Sequence, residues 1–187
     1  VALCGNVANG TPICDDGECD IDSCDNNRYD VDGNFANGCE CADSTGTNAT
    51  ENICQNQSPP IQVGNNQTFT RFGKLTAPGE VEWYHVQYAQ VGGKQIEAYF
   101  SSNPGNVFRM QVLGANCNSV TQSCENNGNP TANSETSYSF YDDCPTNTSC
   151  ESRDVAFPSN IRVKVFRTSG GYSCAQYEIK FRISNER

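Results

Sequence analysis

The sequence predicts an all-β protein: an antiparallel β-sandwich, jelly-roll-like, preceded by a disulfide-rich and mostly irregular arm. Three observations predict it. Beyond residue 60 apolar and polar side chains alternate in short runs, the mark of half-buried strands. Turn-forming pairs punctuate those runs. Almost no stretch supports the spacing of an amphipathic helix.

The arm spans residues 1–58. Gly, Asn, Asp and Cys dominate it, without helical or strand periodicity, so turns and short extended pieces are expected. Ser58-Pro59-Pro60 marks the joint, because a proline pair cannot sit inside a helix or a central strand. Residues 59–187 then read as the sandwich. Ile96, Ala98 and Phe100 alternate with Glu97 and Tyr99, and Phe108, Met110 and Val112 with Arg109 and Gln111. Ile161, Val163 and Val165 alternate with Arg162 and Lys164, and Tyr177, Ile179, Phe181 and Ile183 with Glu178, Lys180 and Arg182. Pro78-Gly79, Gly92-Gly93, Pro104-Gly105, Asn127-Gly128 and Gly170-Gly171 supply the turns. About eight strands at such spacing predict a sandwich. An Asn-, Ser- and Thr-rich insertion at about 114–160 is too long for an unsupported loop.

Charge and sulfur are concentrated in the arm. Residues 1–59 hold 11 Asp or Glu against one base, Arg28, while the remainder balances 11 acids with 11 bases. A segment so acidic and so poor in apolar residues repels itself and builds no core. Disulfides and divalent cations are the two agents that hold such a segment. The 12 cysteines (Cys4, Cys14, Cys19, Cys24, Cys39, Cys41, Cys54, Cys117, Cys124, Cys144, Cys150 and Cys174) read as a disulfide framework in an oxidising, extracytoplasmic setting. Zinc fits less well, since His85 is the single histidine and the spacings lack paired two-residue gaps. Cys117–Cys124 and Cys144–Cys150 are expected as local staples. Seven cysteines precede the joint and five follow it, so complete pairing needs at least one bridge across it, with Cys41 or Cys54 joined to Cys174.

The acidic loops are the candidate metal sites. Calcium takes six to eight hard oxygens, which alternating Asp and Asn side chains with turn carbonyls supply. Asp30, Asp32 and Asn34, with Glu40 downstream, form one set; Asp20, Asp22 and Asp25 a second; Asp15 and Asp16 beside Gly17 a third. None follows the EF-hand spacing. The same acids would also serve merely to solubilise a disulfide knot. His85 has no second histidine and no nucleophile motif beside it, and no G-x-S-x-G elbow exists, so an enzyme is not expected. Trp83 is expected in the core. Tyr138, Phe140 and Tyr141 fall in the insertion, where a single module offers them little core. Sequons at Asn48, Asn56, Asn66 and Asn147 occur about as often as chance gives, so they signal glycosylation only weakly.

The strand Glu80-Val81-Glu82-Trp83-Tyr84-His85-Val86, followed by Gly92-Gly93 and Lys94-Gln95-Ile96-Glu97-Ala98, resembles the bacterial pre-peptidase C-terminal domain, with Glu82 in place of the usual Asp. The resemblance implies a non-catalytic β-sandwich of the kind that accompanies secreted hydrolases and acts in adhesion, matrix or polysaccharide binding. Asp30-Val31-Asp32-Gly33, then Gly38-Cys39-Glu40, resembles the Cys/Asp-rich modules of secreted myxobacterial-type proteins, which often carry a cysteine where this chain has Val31.

The net charge of −10 argues against nucleic acid and anionic membrane surfaces as partners and favours cations, and no apolar run approaches a membrane span. With no leader in the sequence, Val1 is expected to be the mature N-terminus of a secreted protein. The expected function is therefore a secreted, non-enzymatic structural protein that binds Ca2+ and assembles with copies of itself into a filament or surface layer. The alternative is a polysaccharide- or matrix-binding accessory module of a secreted hydrolase.

Overall fold

The computed structural model describes residues 4–42, 54, 59–89, 94–117, 135–141, 159–168 and 170–185. The arm contains a hairpin of β1 (Gly10–Asp15) and β2 (Glu18–Cys24), and a short ladder of β3 (Arg28–Tyr29) and β4 (Cys41–Ala42). The hairpin corrects the expectation of an aperiodic arm. Its tip, Asp16-Gly17, has φ of 47° and 87°, the left-handed pair of a tight type I′-like turn. Pro12 sits where the register shifts, a position at which its missing N–H disturbs no ladder bond.

The sandwich is the antiparallel one expected. Its strands are β5 (Ile61–Val63), β6 (Thr68–Lys74), β7 (Val81–Tyr88), β8 (Lys94–Ser102), β9 (Phe108–Gly114), β10 (Ser137–Tyr141), β11 (Asn160–Arg167) and β12 (Gln176–Asn185). One sheet runs β5-β7-β11-β9 and the other β10-β8-β12-β6, so consecutive strands always belong to opposite sheets. Among the described residues the one parallel pair is β5 with β7. The alternation fixes which face is buried: Val86, Ile96, Ala98, Phe108, Met110, Ile161, Val163, Val165, Ile179 and Phe181 all reach zero exposure between the sheets. β10 lies inside the stretch read as an insertion. It pairs with β8 and delivers Tyr138 to the core at 3% exposure, which corrects the reading of that tyrosine as a loop residue. The side chains of Phe140 and Tyr141 lie outside the described residues.

A cluster of polar groups enters the core. Tyr177 on β12 donates to a carboxylate oxygen of Glu82 on β7, and the Tyr84 hydroxyl lies 2.7 Å from that of Tyr177. Burial, reinforced by the negative charge of Glu82, pushes both phenols well above their ordinary 10.0. They remain neutral hydrogen-bonding groups that tie one sheet to the other. Trp83 points the opposite way. It is 4% exposed on the outer face, in a satellite cluster with Val81 and Cys54, and Lys164 Nζ stands 5.9 Å from its ring centre.

On the outer face of the second sheet, Arg182 bonds both carboxylate oxygens of Glu97, and Ser184 adds a third hydrogen bond at 2.7 Å. Burial alone would push the Glu97 carboxyl up. The hydrogen bonds and charge of these partners outweigh it and hold the group below its ordinary 4.5. A lowered carboxylate stabilises the fold above the unfolded-state value, and that contribution disappears as pH falls through the folded one. Urea midpoints measured from about pH 5 down to about pH 3 should therefore fall more steeply for the native protein than for Glu97→Gln. Equal slopes would mean the pair contributes nothing.

Candidate functional site

Glu40 occupies the centre of the candidate site. It lies between Cys39 and Cys41, which are 0% and 2% exposed, and its carboxylate comes within 4.8 Å of the Cys41 and Cys174 sulfurs. Cys39 is bonded to Cys24, and Cys41 to Cys174 in the loop before β12. Both neighbours of Glu40 are thus covalently anchored. Gly38 permits this approach. Its φ is 67°, and a Cβ there would collide with the backbone of Ala8, whose carbonyl accepts the Cys39 N–H at 2.9 Å.

The opposing wall is a chain of side-chain-to-backbone turns. Asp30 Oδ1 accepts the N–H groups of Asp32 and Gly33 at 3.2 and 2.8 Å, Asp32 Oδ1 that of Asn34 at 3.0 Å, and Asn34 Oδ1 that of Ala36 at 3.1 Å. Asn37 Nδ2 donates to Asp32 Oδ2 at 3.0 Å. Asp30 and Asp32 thus accept two bonds each, and Asp30, Asp32 and Glu40 each bring an oxygen to within 4.8 Å of the others. Glu40 Oε1 accepts the Val31 N–H at 3.1 Å, whereas Oε2 is buried with no hydrogen-bond partner among the described residues. Three carboxylates this close repel one another, and a buried carboxylate oxygen without a donor is costly. A cation relieves both.

The other acids are not gathered in this way. Asp15, Asp16, Asp20 and Asp22 lie exposed along the hairpin, and Asp25 follows it with its backbone N–H on the Asn9 carbonyl at 2.8 Å. Same-face neighbours on a strand stand about 7 Å apart, too far to share one ion, so alternate spacing gathers oxygens only where the chain turns, as it does after Asp30.

The sulfur framework differs in part from expectation. Cys54 bonds Cys117, with Cα atoms 6.1 Å apart, which replaces the expected Cys117–Cys124 staple. The reason is the satellite cluster on Trp83, which draws Cys54 onto the outer face of the sheet beside the end of β9. Cys41–Cys174 is one of the two pairings the cysteine count left open. Cys4 stands with its Cα 6.1 Å from that of Cys14 and 5.5 Å from that of Cys19, which face each other across the hairpin. Cysteine forms one disulfide, so Cys4 bonds one of the two. Cys124, Cys144 and Cys150 lie outside the described residues, as do Asn48, Asn56 and Asn147. Asn66 is exposed in the turn before β6.

The loop that receives Cys174 is itself held. Tyr29 stacks on Tyr172 with ring centres 5.6 Å apart, Ser173 N–H reaches the Thr76 carbonyl at 3.0 Å, and Arg167 bonds the carbonyls of Thr76, Ala77 and Gly171. His85 Nε2 lies 3.2 Å from Asn160 Oδ1 at the start of β11. The Glu97–Arg182 pair and the Glu82–Tyr177 bond were not foreseen. Their only sequence signal is charge or phenol at matching strand phases, which becomes specific once the register is known.

No family model matches the sequence, and no curated protein matches it. Among solved structures the chain is similar to the pre-peptidase C-terminal domain of collagenase from Bacillus anthracis, at 11% identity, with 68% of this chain and 99% of that chain covered and a TM-score of 0.30. That domain belongs to the family the Glu82-Trp83-Tyr84 strand resembles. At this identity and TM-score the likeness adds nothing to the fold already described.

Proposed function

We propose that this chain is a secreted, non-enzymatic structural protein whose arm binds calcium through Asp30, Asp32 and Glu40, with Asn34 beside them, and which assembles with copies of itself. The observation that carries the reading is the buried oxygen of Glu40, without a hydrogen-bond partner among the described residues and close to two oriented aspartates. The donor set is all oxygen, which suits Ca2+ and disfavours soft metals. Disulfides joining arm to sandwich support an oxidising location outside the cytoplasm. Among the described residues no helix is long and apolar enough to cross a membrane. Assembly is supported by the β1–β2 hairpin, which forms a two-stranded sheet of its own and leaves Ile13 43% exposed. Isolated two-strand hairpins are marginal, and open strand edges invite a neighbour's strand. Docking that does not close on itself yields a filament.

Calorimetric titration of chelator-treated protein should give calcium heat, and Glu40→Gln should weaken that binding by roughly tenfold or more. Light scattering and negative-stain microscopy should then find polymers with calcium and smaller species with chelator. Absence of heat would remove the metal. Monodisperse monomer under both conditions would remove assembly.

A further inference from the structure

Two surfaces serve neither the candidate metal site nor the core: the acidic hairpin and the outer edge of β6. From β1 through its turn to the end of β2 the chain holds five acids and no base: Asp15, Asp16, Glu18, Asp20 and Asp22. Ile13 stands across from Asp20 in this ladder and is 43% exposed. β6 closes one side of the β10-β8-β12-β6 sheet and, among the described residues, pairs only with β12. It holds two bases, Arg71 and Lys74, and no acid. Its Phe72 is 59% exposed. On β12, Lys180 lies opposite Thr70 and Glu178 opposite Phe72, and these two form an ion pair at 2.9 Å.

An edge strand offers backbone donors and acceptors to another strand, and charged side chains on it decide which strand can approach. β6 is seven residues long, contains no proline and is rich in Thr and Phe, so it is well formed for pairing. The other outer strands of the sandwich offer less. β5 has three residues and β10 five. β9 is already engaged by Glu135, whose N–H donates to the Met110 carbonyl at 2.9 Å and whose carbonyl accepts the Met110 N–H at 2.8 Å. On the hairpin, Pro12 removes a donor from β1, which leaves β2, also seven residues long, as the better edge. Two β6 edges brought together would set bases on bases, and two hairpins acids on acids. Only the hairpin on β6 joins opposite charges, and it would cover Phe72 as it docks. Within one chain the two belong to separate sheets. A contact between two unlike surfaces repeats head to tail from copy to copy.

We propose that β2 of one copy adds to the β6 edge of the next, its acids meeting Arg71 and Lys74. The inference rests on the self-assembly proposed above and names the two surfaces that carry it, neither of which includes a proposed calcium ligand. Two charge-reversed chains test it by sedimentation in calcium: Arg71→Glu with Lys74→Glu, and Asp20→Lys with Asp22→Lys. Each alone should raise the concentration needed to form polymer by roughly tenfold or more. An equal mixture of the two should assemble near the native concentration, because each reversed surface then meets the other. A second measurement needs no variant and decides the matter if a reversed chain fails to fold. Polymer grown from equal parts of ¹⁴N and ¹⁵N native chains, treated with a carbodiimide, should yield peptides joining Glu18, Asp20 or Asp22 to Lys74 across the two isotopes. Native polymer without such mixed peptides, polymer indifferent to both reversals, or folded variants that stay apart when mixed would overturn this contact and leave assembly standing. Native chain that remains monomeric in calcium would overturn both.

Discussion

Replacing Cys41 and Cys174 together by serine should lower the unfolding free energy by about 4–5 kcal/mol, the largest effect expected of any change to the sulfur framework. The bridge spans 133 residues, and the chain entropy that a cross-link removes from the unfolded state grows with the logarithm of that span. Cys54–Cys117, with a separation of 63, lies inside the longer loop and shortens it somewhat. The effect is therefore placed below what an isolated loop of that length would give. Structure points the same way. With the bridge gone, the Tyr29–Tyr172 stack is the remaining described ring contact between arm and receiving loop, and such a pair contributes only about 0.5–1.5 kcal/mol beyond its buried area. Urea unfolding of the double variant under oxidising conditions measures the loss. Limited proteolysis should show new cleavage between β2 and β4. A change below about 1 kcal/mol would mean that native strain offsets the entropic gain.

Gly73→Ala should lower the unfolding free energy by about 3 kcal/mol and the melting temperature by about 10 °C. Gly73 sits within β6 directly across from Tyr177, and a Cβ there would overlap both the Tyr177 hydroxyl and the Glu82 carboxylate. The tyrosine ring lies over the glycine, and this brings its hydroxyl to Glu82 on the other sheet. An added methyl must either displace the ring, breaking the Tyr177 bond to Glu82, or push β6 away from β12. Gly170→Ala is the control, because a Cβ there meets nothing within 4 Å. Calorimetric melting of the two variants separates crowding at one site from a general intolerance of alanine for glycine. Similar melting temperatures would refute the packing argument.

The long strands were legible because they bury one face and solvate the other. Tyr177, Ile179, Phe181 and Ile183 on β12 are all core residues at the phase the alternation assigns them. The hairpin was not legible for the complementary reason. β1 and β2 bury almost nothing, so their positions are filled by acids, cysteines and a proline, and only Asp16-Gly17 marks the turn. β10 was hidden by composition: Ser137-Tyr138-Ser139-Phe140-Tyr141 alternates, but its Asn-, Ser- and Thr-rich surroundings read as loop. Within the candidate metal site, Asp30, Asp32, Asn34 and Glu40 could be named from spacing and oxygen chemistry alone. The turn that folds Asp30 and Asp32 back toward Glu40 could not be inferred, because it depends on Cys39 and Cys41 being pinned elsewhere. Gly73 is the extreme case, since its reason for being glycine lies on strands β7 and β12, remote in sequence.

The clasp between residues 41 and 174 also determines how this molecule carries load. A pull applied at the two chain ends travels along the leading segment, through the sulfur link and out along the final strand. Every residue from 42 to 173 lies within the closed circuit and is relieved of tension. Stretched in a force spectrometer, the oxidised protein should surrender only its two outer tails, and the hidden contour length should appear only after a reductant opens the circuit.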